Sequence, residues 1–506
     1  MLLFVGCWVM FHLLKAVYNV SPLHPLHSIP GPKLAAATYL PEFYWDVIRF
    51  GRYTRQIQAM HNKYGPLVRI SPDEIHCADV NFSDEIYAIG TRKRNKPAHQ
   101  VNGTVLTIAE FGTIDHDLHR ARRAPVAKFF SRSNVAQLEG EIKHFVQLLC
   151  DKILRESGKG PVELKAAYSC FTADVVSAYA FGQSIGFLNQ PAFTPNFKES
   201  TESALKTCHV FRWFPILKNL DKLAIVFVNY LPADLALLVR TMQIELPERI
   251  VKIRDAVDAG LLNTRDRHTI FGEILTDEAT ESKEKGTERL AIEAFAIMGA
   301  GTETTAAALS LITYEVLKNP EILEKLAAEL EQNGFTNNPR GLASFLELER
   351  LPYLGAVIKE GLRLSYGVSS RTARIATEED LVYRGEWNKK DVQYVVPRGY
   401  GIGMSTVITH HTESIFPDSH RFLPERWLDD KNKPDKGFMP FGKGSRRCLA
   451  SNLAVTELYF TVVALAIRVW PRMNLFETTD EDLSYDYDMF VPMPKKGSAG
   501  LRVTIS

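Results

Sequence analysis

Phe441-Gly-Lys-Gly444-Ser-Arg446-Arg-Cys448-Leu-Ala450 places one cysteine in a turn of glycines and arginines, directly before an apolar stretch, Leu453 to Val469, that reads as a helix. Such a layout suits a thiolate bound to iron. The metal's charge, the positive N-terminal end of the helix and backbone N–H groups freed by the turn would together hold the sulfur deprotonated. Gly442 and Gly444 allow the backbone to pass close to a flat cofactor, and Arg446 has the fork geometry to pair with a carboxylate of that cofactor. A lone cysteine before a helix is ordinarily a buried structural residue. The phenylalanine, glycines and arginines around this one reverse that reading.

The chain has 506 residues, 45% of them hydrophobic, enough for a sizeable core. Lys+Arg 60 against Asp+Glu 59 leaves a net charge of +1, which excludes the electrostatic footprint of a nucleic-acid binder. Six cysteines (Cys7, Cys77, Cys150, Cys170, Cys208, Cys448) are scattered without framework or CxxC spacing, as in a reducing compartment.

Leu2 to Val20 is apolar apart from His12, Lys15 and Asn19, and long enough to cross a bilayer. Residues 1–20 are therefore read as a membrane anchor; a cleaved signal peptide is disfavoured by the lack of a basic start and a small-residue cleavage site. Residues 21–32, with Pro22, Pro25, Pro30 and Pro32, are expected to form a stiff, extended hinge, and 33–506 the catalytic body. Lys15 and Lys33 bias that body toward the cytosol, with the endoplasmic reticulum as the natural membrane.

Along the body, Leu67–Ile70 and Ile75–Ala78 read as a hairpin across Ser71-Pro-Asp-Glu74, and Leu381–Tyr383 with Val392–Val396 as a second small β region. Between them the pattern is mostly helical, and Thr276–Thr287 reads as a charged, solvated hinge. The fold class expected is mainly α with small β-sheets, preceded by one N-terminal transmembrane helix. Val210 to Met242 is unusually apolar and fits either a membrane-facing lid over a substrate channel or a pair of core helices.

Arg289 to Lys318 reads as a long helix, apolar on most sides, that should run through the protein centre. Within it, Gly299-Ala-Gly-Thr-Glu303-Thr304-Thr305 brings two glycines at about 1 kcal/mol each relative to alanine and a carboxylate whose burial is costly without partners. Small residues there leave room for a diatomic ligand, while Glu303 and Thr304 supply an acid and a hydroxyl for proton delivery. The alternative is a local kink in which the threonines bond back to the preceding turn.

Glu360 and Arg363 share a helix face, and if buried they need a third partner, for which Arg426 in Phe422-Leu-Pro-Glu-Arg-Trp427 is the candidate. Asp115 to Arg123 opens a basic helix whose charges are either solvated or form a docking patch for an acidic electron donor, with His119 and Arg123 able to reach a cofactor carboxylate. His410-His411 has no companion ligands at metal spacing and reads as structural.

With these pieces in order along one chain, the sequence resembles the cytochrome P-450 superfamily of haem-thiolate monooxygenases, in its microsomal form. The resemblance covers nearly everything after the anchor: Pro30-Gly-Pro32, Ala300-Gly-Thr-Glu-Thr304, Glu360 to Arg363, Phe422 to Trp427 and Phe441 to Ala450. It implies the cytochrome P-450 fold and haem b (iron protoporphyrin IX) with Cys448 as axial thiolate. Thr304 and Glu303 would be the proton-relay pair. Phe441 and Gly444 would belong to the cofactor loop, and Arg446, Arg123 and His119 would contact haem propionates. Arg374 is a further propionate contact, with Arg371 competing for the role. Two positions depart from the pattern: Ala450 stands where glycine is usual, and His119 where tryptophan is common. Tyr18–Val20, Ser28–Ala36 and Asp115–Ser131 look like fungal secondary-metabolism members, the group that includes trichodiene oxygenases.

The implied reaction inserts one atom of O2 into a lipophilic small molecule, such as a terpenoid or other fungal intermediate, and releases the second as water. Thiolate donation to the iron favours O–O cleavage. No flavin domain follows Ser506, so a separate NADPH-cytochrome P-450 reductase is the expected partner, beside O2, substrate and the bilayer. The competing readings are a haem-thiolate isomerase or dehydratase, against which the intact Glu303-Thr304 pair argues, and a non-catalytic membrane-tethered haem-binding protein.

Overall fold

Thr287–Lys318 forms one helix of 32 residues in the computed structural model of the chain, about 48 Å long at helical rise. The structure describes residues 2–220, 224–261, 269–338, 341–429 and 434–506. This central helix packs along Leu164–Phe181, a helix in which every residue except Lys165 is buried. Their close approach explains one of the mid-helix glycines: a Cβ at Gly301 would meet Val176 Cγ2 at 3.0 Å. The helix Ser451–Arg468, which follows the cysteine, joins the same core. Both the central and the cysteine helix are apolar enough to span a membrane, but each is mostly buried inside the protein.

Among the described residues, four small sheets frame this helical body. In the five-stranded one, Leu67–Ser71 pairs antiparallel with Glu74–Cys77 as the sequence predicts, and Gly401–Gly403, Arg374–Ala376 and Arg94–Asn95 follow in space. The second expected β region is a hairpin, Leu381–Trp387 with Lys390–Val396. Asn388 and Lys389 turn it with φ of 52° and 61°, matching the twist that a two-residue loop requires. The observed fold class is mainly α with minor sheets, as expected.

At the N-terminus, Leu2–Val20 is a helix whose Leu3, Phe4, Trp8, Phe11 and Val17 are exposed, long and apolar enough for a membrane span. The expectation of an extended hinge is corrected. Residues 21–29 fold into successive turns, Ser21 N to Tyr18 O, His24 N to Ser21 O, His27 N to His24 O and Ile29 N to Leu26 O. Leu26 and Ile29 sit in the core beside Leu67 and Ile75, because burying them outweighs the prolines' extended preference. Arg69 clamps the segment by donating to Asn19 O and Pro72 O. Thr276–Thr287 is also less solvated than expected, since its Glu284 accepts from Arg122 and Arg289.

Of the two readings of Val210 to Met242, exposure favours the lid. Phe214, Ile216, Val226, Phe227 and Tyr230 all face outward, where core helices would bury them. Residues 221–223 of that stretch lie outside the described residues. Phe43 packs edge-on against Trp213 and Phe214, so the lid's apolar side continues into the segment after the anchor, where Leu40 and Ile48 are exposed.

Candidate active site

Cys448 lies three residues before the first turn of the helix Ser451–Arg468. Its N–H donates to Phe441 O at 2.8 Å, closing the loop on itself, and the Gly442 N–H donates to Met439 O at 3.0 Å. Gly444 has φ 77°, and a Cβ there would collide with Tyr87 O at 2.2 Å. Its smallness therefore serves chain packing against Tyr87. Ala450, by contrast, has φ −94° and ψ 23°, a conformation open to any residue, so the missing glycine costs nothing.

The Cys448 sulfur is exposed although the loop is set deep in the molecule. Burial raises the thiol's pKa, while the Ala450 N–H, Arg123 and Arg447 pull it down. A bound metal cation is what tips such a site to thiolate. On the central helix, Ala300 and Thr304 are open while Thr302, Glu303, Thr305 and Ala306 are buried. Spacing of four puts Ala300 and Thr304 on one face. Thr304 Oγ1 donates to Ala300 O at 2.9 Å and Thr302 Oγ1 to Met298 O at 2.8 Å, the back-bonding that the kink reading anticipates.

Glu303 does not share the Thr304 face. Its carboxylate meets Lys165 Nζ at 2.5 Å, and Lys165 also holds Glu202 at 2.9 Å. Burial and the Glu202 charge push Glu303 upward against the pull of Lys165, which the two carboxylates keep protonated. The one position of the Leu164–Phe181 helix that is not fully buried is thus spoken for by the acid of the central helix. Neither Lys165 nor Glu202 carried a sequence signal.

The cationic residues converge as well. Arg446 donates Nη1 to Thr113 O at 2.6 Å, Nη2 to Ile114 O at 2.7 Å and Asp115 O at 3.2 Å, and Nε to Arg94 O at 3.2 Å. It stitches the cysteine loop to the start of the basic helix His116–Ala127. Arg374 is buried, donates to Ala373 O at 2.8 Å and lies over the Tyr87 ring. Arg371 is removed from the competition: it pairs with Glu42 and with Glu74 at 3.0 Å. Lys96, which sequence reasoning passed over inside a basic run, stands among Arg374, Arg446 and Arg123. Burial and those neighbours hold its ammonium well below the usual lysine range, a charge that an incoming carboxylate would stabilise.

His119 and Arg123 converge on a protein carboxylate that the sequence did not single out. Glu110 Oε1 takes His119 Nε2 at 2.7 Å and Arg123 Nη1 at 2.8 Å, which lowers its pKa to about 2 against the effect of burial. His119 therefore has a protein partner, Glu110. Arg123 Nη2 also donates to Arg447 O at 2.9 Å, beside the cysteine. The counter-charges that act on Lys96 and Arg446 among the described residues are Glu110 and the helix-capping Asp115. That surplus of positive charge, together with the open Cys448 thiol, fits an iron porphyrin with two carboxylates.

Behind the loop, the predicted ion cluster is present and completely buried. Glu360 and Arg363 are 0% exposed and bonded at 2.8 and 2.9 Å, and Arg426 Nε reaches Glu360 Oε1 at 3.0 Å. Trp427 Nε1 and Leu423 N complete the carboxylate at 2.9 Å each. Arg363 also donates to His410 O, Ser419 O and Arg421 O. His410 passes this order on: its Nδ1 donates to Arg363 O and its Nε2 accepts from Met439 N, two residues before Phe441. Burial lowers His410 to about 4, so it stays neutral as the structural reading expects.

One further acid ties the cysteine helix to the central helix. Glu457 is 2% exposed and bonds Thr305, the neighbour of Thr304, and burial pushes its pKa up to about 8. The unfolded chain releases this proton near 4.5 and the folded chain near 8, so Glu457 penalises folding progressively as pH rises between those values, on the order of 5 kcal/mol at the plateau. Glu457→Gln should match wild type in urea midpoint near pH 4 and exceed it increasingly toward pH 8; parallel pH profiles would show that Glu457 is already ionised.

The chain belongs to the cytochrome P-450 family, whose model matches residues 42–468. It is 39% identical over 504 residues to the cytochrome P-450 monooxygenase tpcC of Cochliobolus heterostrophus, covering 96% of this chain and 93% of that protein. The conidiogenone synthase PchP450 of Penicillium rubens is 36% identical, with 97% and 96% covered. The N-acetyltryptophan 6-hydroxylase ivoC of Emericella nidulans is 35% identical, with 98% and 97% covered. The protein is a haem-dependent oxidoreductase of the monooxygenase class, working with O2, a redox partner and a small-molecule substrate, and its relatives serve fungal secondary metabolism.

Proposed function

We propose that this chain is a membrane-anchored monooxygenase that holds haem b through Cys448 and oxidises a neutral, lipophilic intermediate of fungal secondary metabolism, of terpenoid or comparable skeleton. The carrying observation is the open sulfur of Cys448 together with the cation group of Lys96, Arg374, Arg446 and Arg123. Residues 1–20 would anchor residues 33–506 to the cytosolic face of the endoplasmic reticulum, with 21–32 docked between them. A separate NADPH-cytochrome P-450 reductase would deliver electrons, attracted by exposed cations such as Arg120 and Arg447.

When bound, the haem would supply O2 activation and oxygen insertion. The protein's part is positional and protonic. Cys448 is presented by a loop pinned through Phe441, Met439 and His410, so the ligand sulfur is fixed before the cofactor arrives. Lys96, Arg374 and Arg446 would hold the propionates, with Arg123 adding charge from behind Glu110. Thr304 Oγ1 stands where it can donate to a ligand on the open helix face after releasing Ala300 O. Glu202, partly exposed, with Lys165 and Glu303, forms a charged path from solvent to the same helix turn and can replenish that proton.

Incubation with reductase, NADPH, isotope-labelled O2 and a panel of terpenoids should give a product carrying one labelled atom. Turnover of organic peroxides without label or NADPH would instead indicate the isomerase. Thr304→Ala should keep NADPH consumption while product falls about tenfold or more and hydrogen peroxide rises to match. An unchanged ratio of peroxide to product would take Thr304 out of proton delivery.

A further inference from the structure

The hairpin Tyr487–Met489/Val491–Met493 turns at Phe490, whose φ is 74°. A bulky side chain in left-handed backbone is a genuine outlier that surrounding contacts must enforce. Here the enforcing group is Asp488, 2% exposed. Its carboxylate accepts from the Phe490 N–H at 2.9 Å, Ser369 Oγ at 2.9 Å, Ser370 Oγ at 2.8 Å and Thr54 Oγ1 at 2.9 Å. Ser369 N and Ser370 N in turn donate to Phe490 O at 3.0 and 3.3 Å. Both backbone ends of Phe490 are thereby fixed, and its ring stands edge-on to Phe111 with centroids 5.6 Å apart. Phe111 is itself held by Lys96, which donates to its carbonyl and lies 3.8 Å from its ring centre.

The same aspartate also touches the lid. His209, on the lid helix Cys208–Trp213, bonds Asp488 O through Nε2 at 2.7 Å, and Cys208 packs in one cluster with Tyr487, Met489, Val491 and Met493. One turn further on, the lid helix is also fastened by Arg212 to Glu42 at 3.1 Å and to Asp46 at 3.3 Å, the carboxylate that His209 Nδ1 approaches at 3.7 Å.

We propose that Phe490 and Phe111, which reach the cation group through Lys96, form a wall of the substrate pocket, and that Asp488 is a positioning residue that locks this wall and couples it to the lid helix through His209. This rests on the haem-thiolate reading above. A closed lid seats His209 on Asp488 O and adds to the contacts that hold Phe490, so the pocket is narrowest when covered. Lifting the lid removes that one bond while the carboxylate keeps Thr54, Ser369 and Ser370, so the wall loosens without unlocking and admits a bulkier skeleton. The lock discriminates ligands by size at the wall and leaves the iron itself unaffected.

Azole binding to the purified full-length holoprotein, followed by the Soret shift of nitrogen ligation, reads this out without knowledge of the substrate. Imidazole reports the iron and 1-tritylimidazole the wall. Phe490→Ala should tighten tritylimidazole about tenfold while imidazole stays within about twofold. Asp488→Asn should reproduce that split, and the milder Ser370→Ala and His209→Gln should move in the same direction by a few-fold. Wild-type tritylimidazole affinity in Ser370→Ala and His209→Gln would overturn the lock even if Asp488→Asn failed to fold, and wild-type affinity in Phe490→Ala would overturn the wall. No imidazole shift in the unmodified protein would instead reject the haem-thiolate reading.

Discussion

Cys448→Ser protein should be purified without the carbon monoxide difference band of a thiolate-ligated haem, while wild type shows it at full intensity. A serine hydroxyl stays protonated at neutral pH and gives iron no anionic sulfur, so the loss should be near complete. The substitution should leave the fold standing, since the contacts that shape the loop are backbone bonds, Cys448 N to Phe441 O and Gly442 N to Met439 O. Helical circular dichroism and thermal midpoint of the cofactor-free form should therefore match those of wild type stripped of haem. A retained band would mean that another residue ligates the iron. Colourless wild-type protein would remove the activity altogether.

Glu360→Ala should cost about 3–5 kcal/mol, the penalty of stranding a buried charge. Arg363 is 0% exposed and spends two of its five donor hydrogens on Glu360; Arg426, Trp427 N–H and Leu423 N–H lose the same acceptor. The damage should travel, because Arg363 and His410 grip each other's carbonyls and His410 holds Met439. A lowered urea midpoint together with substoichiometric haem at Cys448, 88 residues along the chain from Glu360, is the expected result. Glu360→Gln, which retains acceptors for Trp427 and Leu423, should fall between. A wild-type midpoint and full haem content in Glu360→Ala would show that the cluster does not brace the cysteine loop.

Much of the site was legible because its parts are local. Phe441 to Ala450, Ala300 to Thr305 and Glu360 to Arg363 each carry their meaning within one turn or one loop, and Arg426 was recognisable as the third partner by its place shortly before the cysteine. The charge partners were not legible. Nothing in Ala109-Glu-Phe111 announces that Glu110 takes both His119 and Arg123, or that its N–H meets Glu293 of the central helix. Lys96 looked like one of several cations in Arg92-Lys-Arg-Asn-Lys96, and Lys165 like the solvated member of a buried helix. Arg371 and Arg374, three residues apart, could be separated only after Glu42 and Glu74 were placed.

By itself the sequence determined the class of fold, the candidate cysteine loop, the long central helix and the ion cluster of Glu360, Arg363 and Arg426, because periodicity, glycine spacing and helix-face pairing are short-range properties of the chain. Tertiary structure alone decided which carboxylate answers which cation, that Glu303 and Thr304 face different ways, that the proline-rich connector folds onto the sheet, and that Asp488 holds Phe490 and His209 together. Those outcomes depend on which buried charges and apolar side chains are brought within reach by packing, and in a low-dielectric interior each such group must find its partner wherever the fold has put one.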